Sequence, residues 1–257
     1  MSEKSRSYFS DQHAVVTGGA SGIGEAIAER LADTGMRITL MGRNPERLST
    51  TADRLKAASQ QVDVTLPDDV RRGFAAAVQV NGPVSILVNN AGSAESSPFT
   101  KMDDDLWYRM LAVNLTGTYL CTKSVVKAMS KAGFGRIINI ASTASQKGYA
   151  YVSAYCAAKH GVLGLTRALA LEMARKGVTV NAVCPGFTDT DLLARSLDTI
   201  VENTGMRRQQ ALAELVKNNP QGRLIAPKEI AETVVWLCSA NSASITGQAI
   251  AVAGGEI

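Results

Sequence analysis

The sequence predicts an α/β fold in which one doubly wound, parallel sheet of seven strands is covered by helices on both faces. Three observations predict it. Short apolar runs alternate with longer stretches of helical periodicity along the whole chain. A glycine-rich turn joins the first run to the first helical stretch. No Pro/Ser/Gly-rich tract or charge run marks a linker, and 257 residues with 46% hydrophobic content are enough to bury one large core.

The strands expected are His13 to Thr17, Arg37 to Met41, Gln61 to Val64, Ser85 to Val88, Arg136 to Ala141, Thr179 to Cys184 and Ala249 to Val252. Between them lie helical patterns at 23–34, 45–58, 67–80, 103–131, 154–175 and 227–239. Strands separated by helices of this length predict one parallel sheet, because parallel neighbours need a long crossover connection. Residues 1–10 are polar and read as a flexible tail, which leaves 11–257 as one domain.

Composition excludes several classes. The formal net charge of +4 and pI near 8.9 come from dispersed Lys and Arg, which favours anionic small ligands slightly and nucleic acid hardly at all. Cys121, Cys156, Cys184 and Cys238 form no C-x-x-C pair and read as reduced core residues of a cytoplasmic protein. Only His13 and His160 are present, without ligand spacing, so no metal site is expected. No run of 18 apolar residues and no signal-peptide pattern occur, so no membrane association is expected.

The turn reads Thr17-Gly18-Gly19-Ala20-Ser21-Gly22-Ile23-Gly24. Its glycines allow a tight turn and a close approach to phosphate, while the following helix offers free amides and a positive dipole end. A glycine-rich turn alone is explained by turn geometry, but its place between a strand and a helix favours Rossmann-type dinucleotide binding. Glu25 stands where a nucleoside-triphosphate loop needs lysine, so kinase-type chemistry is disfavoured. The second strand ends Met41-Gly42-Arg43-Asn44, without the acid that binds ribose hydroxyls, and with an arginine able to pair with the extra phosphate of NADP. Further along, Tyr155 and Lys159 are four apart in a helical pattern and project side by side. A phenol beside an ammonium is a tuned acid, since positive charge stabilises phenolate. Ser142 sits at the carboxyl end of a strand, where open α/β sheets bind ligands.

Taken together, Thr17-Gly18-x-x-x-Gly22-x-Gly24, Asn89-Asn90-Ala91-Gly92, Asn114, Ser142, Tyr155-x-x-x-Lys159 and Pro185-Gly186 resemble the short-chain dehydrogenase/reductase family in order and spacing, from Gln12 to Gly255. The resemblance implies a catalytic tetrad of Asn114, Ser142, Tyr155 and Lys159. In it Tyr155 handles the hydroxyl proton, Ser142 holds the substrate oxygen, Lys159 lowers the tyrosine pKa and holds the nicotinamide ribose, and Asn114 anchors a water. It also implies a cofactor site of Gly18, Ser21, Gly22, Ile23, Gly24, Arg43, Asn44, Asp63, Val64, Asn90, Ala91, Gly92, Tyr155, Lys159, Pro185, Gly186, Thr188 and Thr190, taking NADP(H), with NAD(H) as the alternative.

By the same resemblance Ser142, Thr143, Ala144, Tyr149, Tyr155 and Phe187 face the substrate, and 191–221 is a lid. The lid carries a helical pattern from Met206 to Leu215, and its Arg207, Arg208 and Lys217 are candidates to meet an anionic carrier. The runs Asn139-Ile140-Ala141-Ser142-Thr143 and Val180 to Phe187 are similar to ketoreductases of 3-oxoacyl chains and polyketides. The expected function is therefore NADPH-dependent reduction of a 3-oxoacyl thioester, on acyl carrier protein or coenzyme A, by a homotetramer. The alternatives are an NAD-dependent 3-hydroxyacyl-CoA or secondary alcohol dehydrogenase and, from a different class, a non-catalytic dinucleotide-binding redox sensor.

Overall fold

The computed structural model describes residues 9, 10 and 12–257. Its seven strands are β1 (His13–Thr17), β2 (Arg37–Gly42), β3 (Ala58–Gln61), β4 (Ile86–Asn89), β5 (Gly135–Ile140), β6 (Val178–Pro185) and β7 (Ala249–Val252). They form one sheet of order β3-β2-β1-β4-β5-β6-β7, every neighbouring pair parallel. The direction of winding reverses between β1 and β4, which opens a crevice at the carboxyl ends of those two strands.

Helices α1 (Gly22–Ala32), α2 (Pro45–Leu55), α3 (Pro67–Asn81), α4 (Asp104–Leu111), α5 (Gly117–Ala132), α6 (Ser153–Met173) and α9 (Pro227–Cys238) surround the sheet, while α7 (Asp191–Thr204) and α8 (Arg208–Val216) lie between β6 and α9. Side chains alternate across each strand, so neighbours serve opposite cores. Val16, Leu40 and Ile138 pack with Ile27 and Leu31 of α1 and Ile230 and Leu237 of α9 on one face. Val15, Met41 and Ile137 pack with Phe74 of α3 and Val125 and Met129 of α5 on the other. Each fully buried Leu or Ile contributes about 1.5–3 kcal/mol, which is why both faces must be covered.

Four expectations are corrected. The third strand lies at Ala58–Gln61, not Gln61 to Val64, pairing Gly42 with Gln61 at its last position. Val62 and Val64 carry the β-branched signal, but they are buried in the core beyond the strand end, and Asp63 turns the chain by accepting from both the amide and the hydroxyl of Thr65. The 45–58 helix stops at Leu55, because Lys56 takes the left-handed conformation at φ 53°. The 103–131 pattern is two helices joined by a π-turn at Ala112–Thr116, an insertion that leaves hydrophobic periodicity almost untouched. Of the expected tail, residues 1–8 lie outside the described residues, and Phe9 is buried against the first core rather than free.

A buried polar ladder crosses the sheet below the crevice. The Asn89 amide donates to Thr122 Oγ1 at 3.0 Å and Asn139 Oδ1 at 2.9 Å, and Asn139 donates to Thr166 Oγ1 at 2.8 Å. The Asn89 side-chain oxygen is buried without a partner, so the ladder ties β4 to α5 and β5 through its amide donors only.

Candidate active site

The crevice is built by glycines at positions where a side chain has no room. A Cβ on Gly24 would lie 2.2 Å from the Gly18 carbonyl oxygen and 2.4 Å from Asn90 Nδ2, so α1 approaches the β1 turn only without one. Gly18 itself has φ +62°, a left-handed conformation that glycine adopts without strain. Asn90 closes this corner by donating to the carbonyls of Thr17 (3.0 Å) and Gly18 (3.1 Å), while the amides of Asn90 and Ala91 both donate to Thr17 Oγ1 at 3.0 Å. The β1 turn and the β4 turn are thereby one rigid unit. Ser21 precedes α1 without capping it through its side chain, which leaves the first-turn amides of Ile23 and Gly24 to a phosphate. These residues fit a dinucleotide pyrophosphate.

Around the turn, Ala20, Ser21 and Gly22 line a cavity with Glu46, Arg47, Thr50 and Asp191. Arg47 Nη1 reaches Asp191 at 3.1 Å, linking α2 to the start of α7. Arg43 is exposed at the end of β2, and Asn44 is occupied as the N-cap of α2, accepting from the Arg47 amide at 2.9 Å. Val64 packs against Gly117, where a Cβ would lie 2.8 Å from its Cγ2. Arg47 was not anticipated; its only signal was a second arginine four residues past Arg43.

At the carboxyl end of β5 the sheet delivers Ser142, which accepts from the Ala144 amide at 3.1 Å and lies near enough to Tyr155 to favour its phenolate. Tyr155 and Lys159 come from the first turns of α6, with Lys159 Nζ 5.6 Å from the Tyr155 ring centre and 2.8 Å from the Ile140 carbonyl, to which it donates. Asn114 lies in the π-turn. Its amide donates to the carbonyls of Ser93 (2.9 Å) and Met110 (3.0 Å), and a Cβ on Gly92 would sit 2.6 Å from its Oδ1 and 3.7 Å from Lys159 Nζ. Thus Asn114 and Lys159 face each other across Gly92.

Burial dominates the electrostatics. It pushes Tyr155 up to about 12, against the lowering by nearby Ser142, and Cys156 and Cys184 add to the rise. It pushes Lys159 down to about 8, with Cys184 opposing. The expectation that Lys159 pulls the tyrosine down is therefore not met in this geometry. The same dry surroundings that disfavour phenolate disfavour the ammonium that would stabilise it.

On the other side of Ser142, Thr143 Oγ1 and the Tyr149 hydroxyl are 2.6 Å apart, and Tyr149 stands edge-on to Phe187 with ring centres 6.0 Å apart. Ala144 is buried. Pro185 ends β6, Gly186 follows it, and Thr188 returns a hydrogen bond to the Gly186 carbonyl at 2.9 Å. Thr190 caps α7, accepting from Leu193, and its Cγ2 would lie 3.1 Å from a Cβ on Gly22. Helix α7 has no counterpart among the expected helices, although Thr190 before Leu193, Leu197 and Val201 is a cap before an apolar period; only α8, at 208–216, matches the Met206 to Leu215 pattern. Of the cations expected to meet a carrier, Arg208 pairs with Asp198, Lys217 with Glu214, and Arg207 lies against Gln210. His13 and His160 are hydrogen-bonded to the backbone at Gly82 and Cys156.

A doubly wound sheet with a phosphate-shaped turn at the switch point and a Ser–Tyr–Lys cluster at the next strand end defines a dinucleotide-dependent oxidoreductase acting between alcohol and carbonyl. The chain belongs to the short-chain dehydrogenase family, whose model matches residues 12–199. It is similar to the crystal structure of a tryptophan-substituted actinorhodin polyketide ketoreductase with NADPH, at 40% identity and TM-score 0.92, over 95% of this chain and 97% of that one. It is 37% identical to a 3-oxoacyl-[acyl-carrier-protein] reductase of Vibrio cholerae, over 94% of this chain and 96% of the relative. It is also 37% identical to an acetoacetyl-CoA reductase of Rhizobium meliloti, over 95% and 97% respectively. Among the described residues no helix is long and apolar enough to cross a membrane.

Proposed function

We propose that this protein reduces a 3-oxoacyl thioester to the 3-hydroxy compound with NADPH, and that Asn114, Ser142, Tyr155 and Lys159 carry the reaction. The convergence of Ser142, Tyr155 and Lys159 at the end of β5 is the observation that carries it. The relatives named above are a polyketide ketoreductase, an acetoacetyl-CoA reductase and a 3-oxoacyl-[acyl-carrier-protein] reductase, which supports the 3-oxoacyl or polyketide class.

The nicotinamide cofactor supplies the hydride when bound; the chain's own residues supply position and proton. The turn amides of Gly22, Ile23 and Gly24, with Gly18, Ser21, Asn90, Ala91 and Gly92, would hold the pyrophosphate side. Asp63 and Val64 would border the adenine, and Pro185, Gly186, Thr188 and Thr190 the nicotinamide. Arg43 and Asn44 stand at the adenosine end, where a guanidinium selects the extra phosphate of NADP. Ser142 donates to the carbonyl oxygen, and Tyr155 delivers its hydroxyl proton to the same atom as negative charge develops there. Lys159 holds its charge near the phenol that must release a proton, and Asn114 orders the connection from Lys159 to solvent. Thr143, Ala144, Tyr149 and Phe187 shape the substrate side.

The carrier is an acyl carrier protein or coenzyme A. Arg208 and Lys217 are paired with Asp198 and Glu214, so among the described residues two of the four cations in 191–221, Arg195 and Arg207, are left to meet a carrier. The molecule works as a cytoplasmic homotetramer, an assembly supported by the exposed apolar side chains of Tyr108, Leu171 and Trp236. Light scattering at one protomer's mass contradicts the tetramer. Consumption of NADPH with an acetoacetyl thioester tests the activity; turnover confined to NADH and 3-hydroxyacyl-CoA establishes the dehydrogenase instead, and no turnover with any carbonyl or alcohol leaves the sensor.

A further inference from the structure

Next to the C-terminus, Glu256 carries a carboxylate whose side chain is only 1% exposed, although it stands one residue from the chain end. Two glycines bring it there. Gly254 (φ +63°) and Gly255 (φ +93°) turn the chain back after β7, and the Glu256 amide donates to Ala253 at 3.2 Å. A Cβ on Gly254 would fall 2.0 Å from Asn219 Oδ1, so the turn is packed directly on the end of the lid. Glu256 Oε1 then receives the Tyr149 hydroxyl at 2.5 Å and the Lys147 ammonium at 2.9 Å. Its other oxygen would lie 3.4 Å from a Cβ on Gly186. Because Tyr149 gives its proton to the carboxylate, Thr143 must be the donor in the 2.6 Å contact between the two hydroxyls. The result is a directed chain, Thr143 to Tyr149 to Glu256, braced by Lys147, that begins beside Ser142 and ends at the C-terminus.

We propose that Glu256 is a positioning residue of the carbonyl site: its buried carboxylate, held by Lys147, fixes the Tyr149–Phe187 edge-on pair as the wall that selects the group on the far side of the substrate carbonyl. This rests on the carbonyl-reducing reading above. An aromatic pair with its polar tip tied away presents hydrocarbon to the substrate, and a buried carboxylate is the strongest acceptor available to hold that tip. The committed proton also keeps Tyr149 from competing with Tyr155 as donor. Burial and the Glu256 hydrogen bond push the Tyr149 hydroxyl well above the ordinary tyrosine range, so it stays neutral at working pH.

The test compares ethyl acetoacetate with ethyl benzoylacetate, which place a methyl or a phenyl group against the wall, using the full chain and NADPH. In Glu256→Ala and in Tyr149→Phe, KM for the phenyl substrate rises about fivefold more than for the methyl one, while kcat changes less than KM. The double variant is no worse than either single change, as expected of residues acting through one contact. Glu256→Gln, which keeps an acceptor oxygen, recovers most of the lost ratio. Additive effects, an equal change for both substrates, or loss in kcat alone overturns the proposal while the carbonyl-reducing reading stands. A wild type that reduces neither keto ester overturns the proposal, and one that also fails with an acetoacetyl thioester overturns both.

Discussion

Lys159 donates a 2.8 Å hydrogen bond to the carbonyl of Ile140, two residues before Ser142 on the neighbouring chain segment. That bond ties the first turns of α6 to the end of β5, so the phenol of Tyr155 and the hydroxyl of Ser142 hold a common position through backbone rather than through side chains alone. Lys159 therefore has a structural tether as well as a charge.

The charge has a pH signature. Tyr155, at about 12, stays protonated through the working range, whereas Lys159, at about 8, loses its ammonium above that value. The account predicts that kcat/KM for reduction, which reports the free enzyme, declines above pH about 8, the pKa given by Lys159. Stability moves the other way. The folded Lys159 pKa lies below its ordinary 10.5, so the unfolded chain binds more protons between about 8 and 10.5, and this group's contribution to stability rises with pH in that window. Denaturation midpoints across that range, against Lys159→Met, check the sign.

Gly24→Ala puts a Cβ 2.2 Å from a backbone oxygen that cannot move without unseating the β1 turn. The expected cost is about 1–3 kcal/mol of stability, read from urea midpoints at constant slope. NADPH affinity is expected to fall by about tenfold or more in the fraction that folds, since α1 and the turn no longer meet.

Arg43→Ala is expected to raise the Kd for NADPH about tenfold and leave that for NADH within about twofold, as loss of one charge-assisted contact to phosphate implies. Arg47→Ala separates a second possibility: a comparable NADPH effect shows that Arg47 leaves its exposed pair with Asp191 to join the phosphate site, and no effect leaves Arg43 alone there. Exposed pairs are worth about 0–1 kcal/mol, so that exchange is cheap.

Local chemistry made the fold and most of the site legible. Glycine positions, the strand-end serine and the four-residue spacing of Tyr155 and Lys159 are short-range statements, and alternation of apolar runs with helical stretches predicts a parallel, doubly wound sheet, though not its order β3-β2-β1-β4-β5-β6-β7. β3 was misplaced because an edge strand of Ala58-Ser59-Gln60-Gln61 shows no apolar period, while Val62 and Val64 do so outside the strand. The π-turn at Asn114 was hidden because inserting one residue in a helix disturbs hydrogen bonding more than periodicity. Glu256 and Lys147 were invisible for another reason: they are 109 positions apart by number and meet only through the double-glycine turn after β7. The balance of pKa shifts is likewise a property of burial, which spacing cannot report.

The central claim is that the Tyr155 hydroxyl is the proton donor of a carbonyl reduction. The most direct measurement is NADPH oxidation with an acetoacetyl thioester by the wild type and Tyr155→Phe, with NADPH affinity determined for both. The account predicts loss of turnover by about a hundredfold or more in the variant, with cofactor Kd changed less than about threefold. Turnover retained in Tyr155→Phe, with cofactor binding intact, contradicts it.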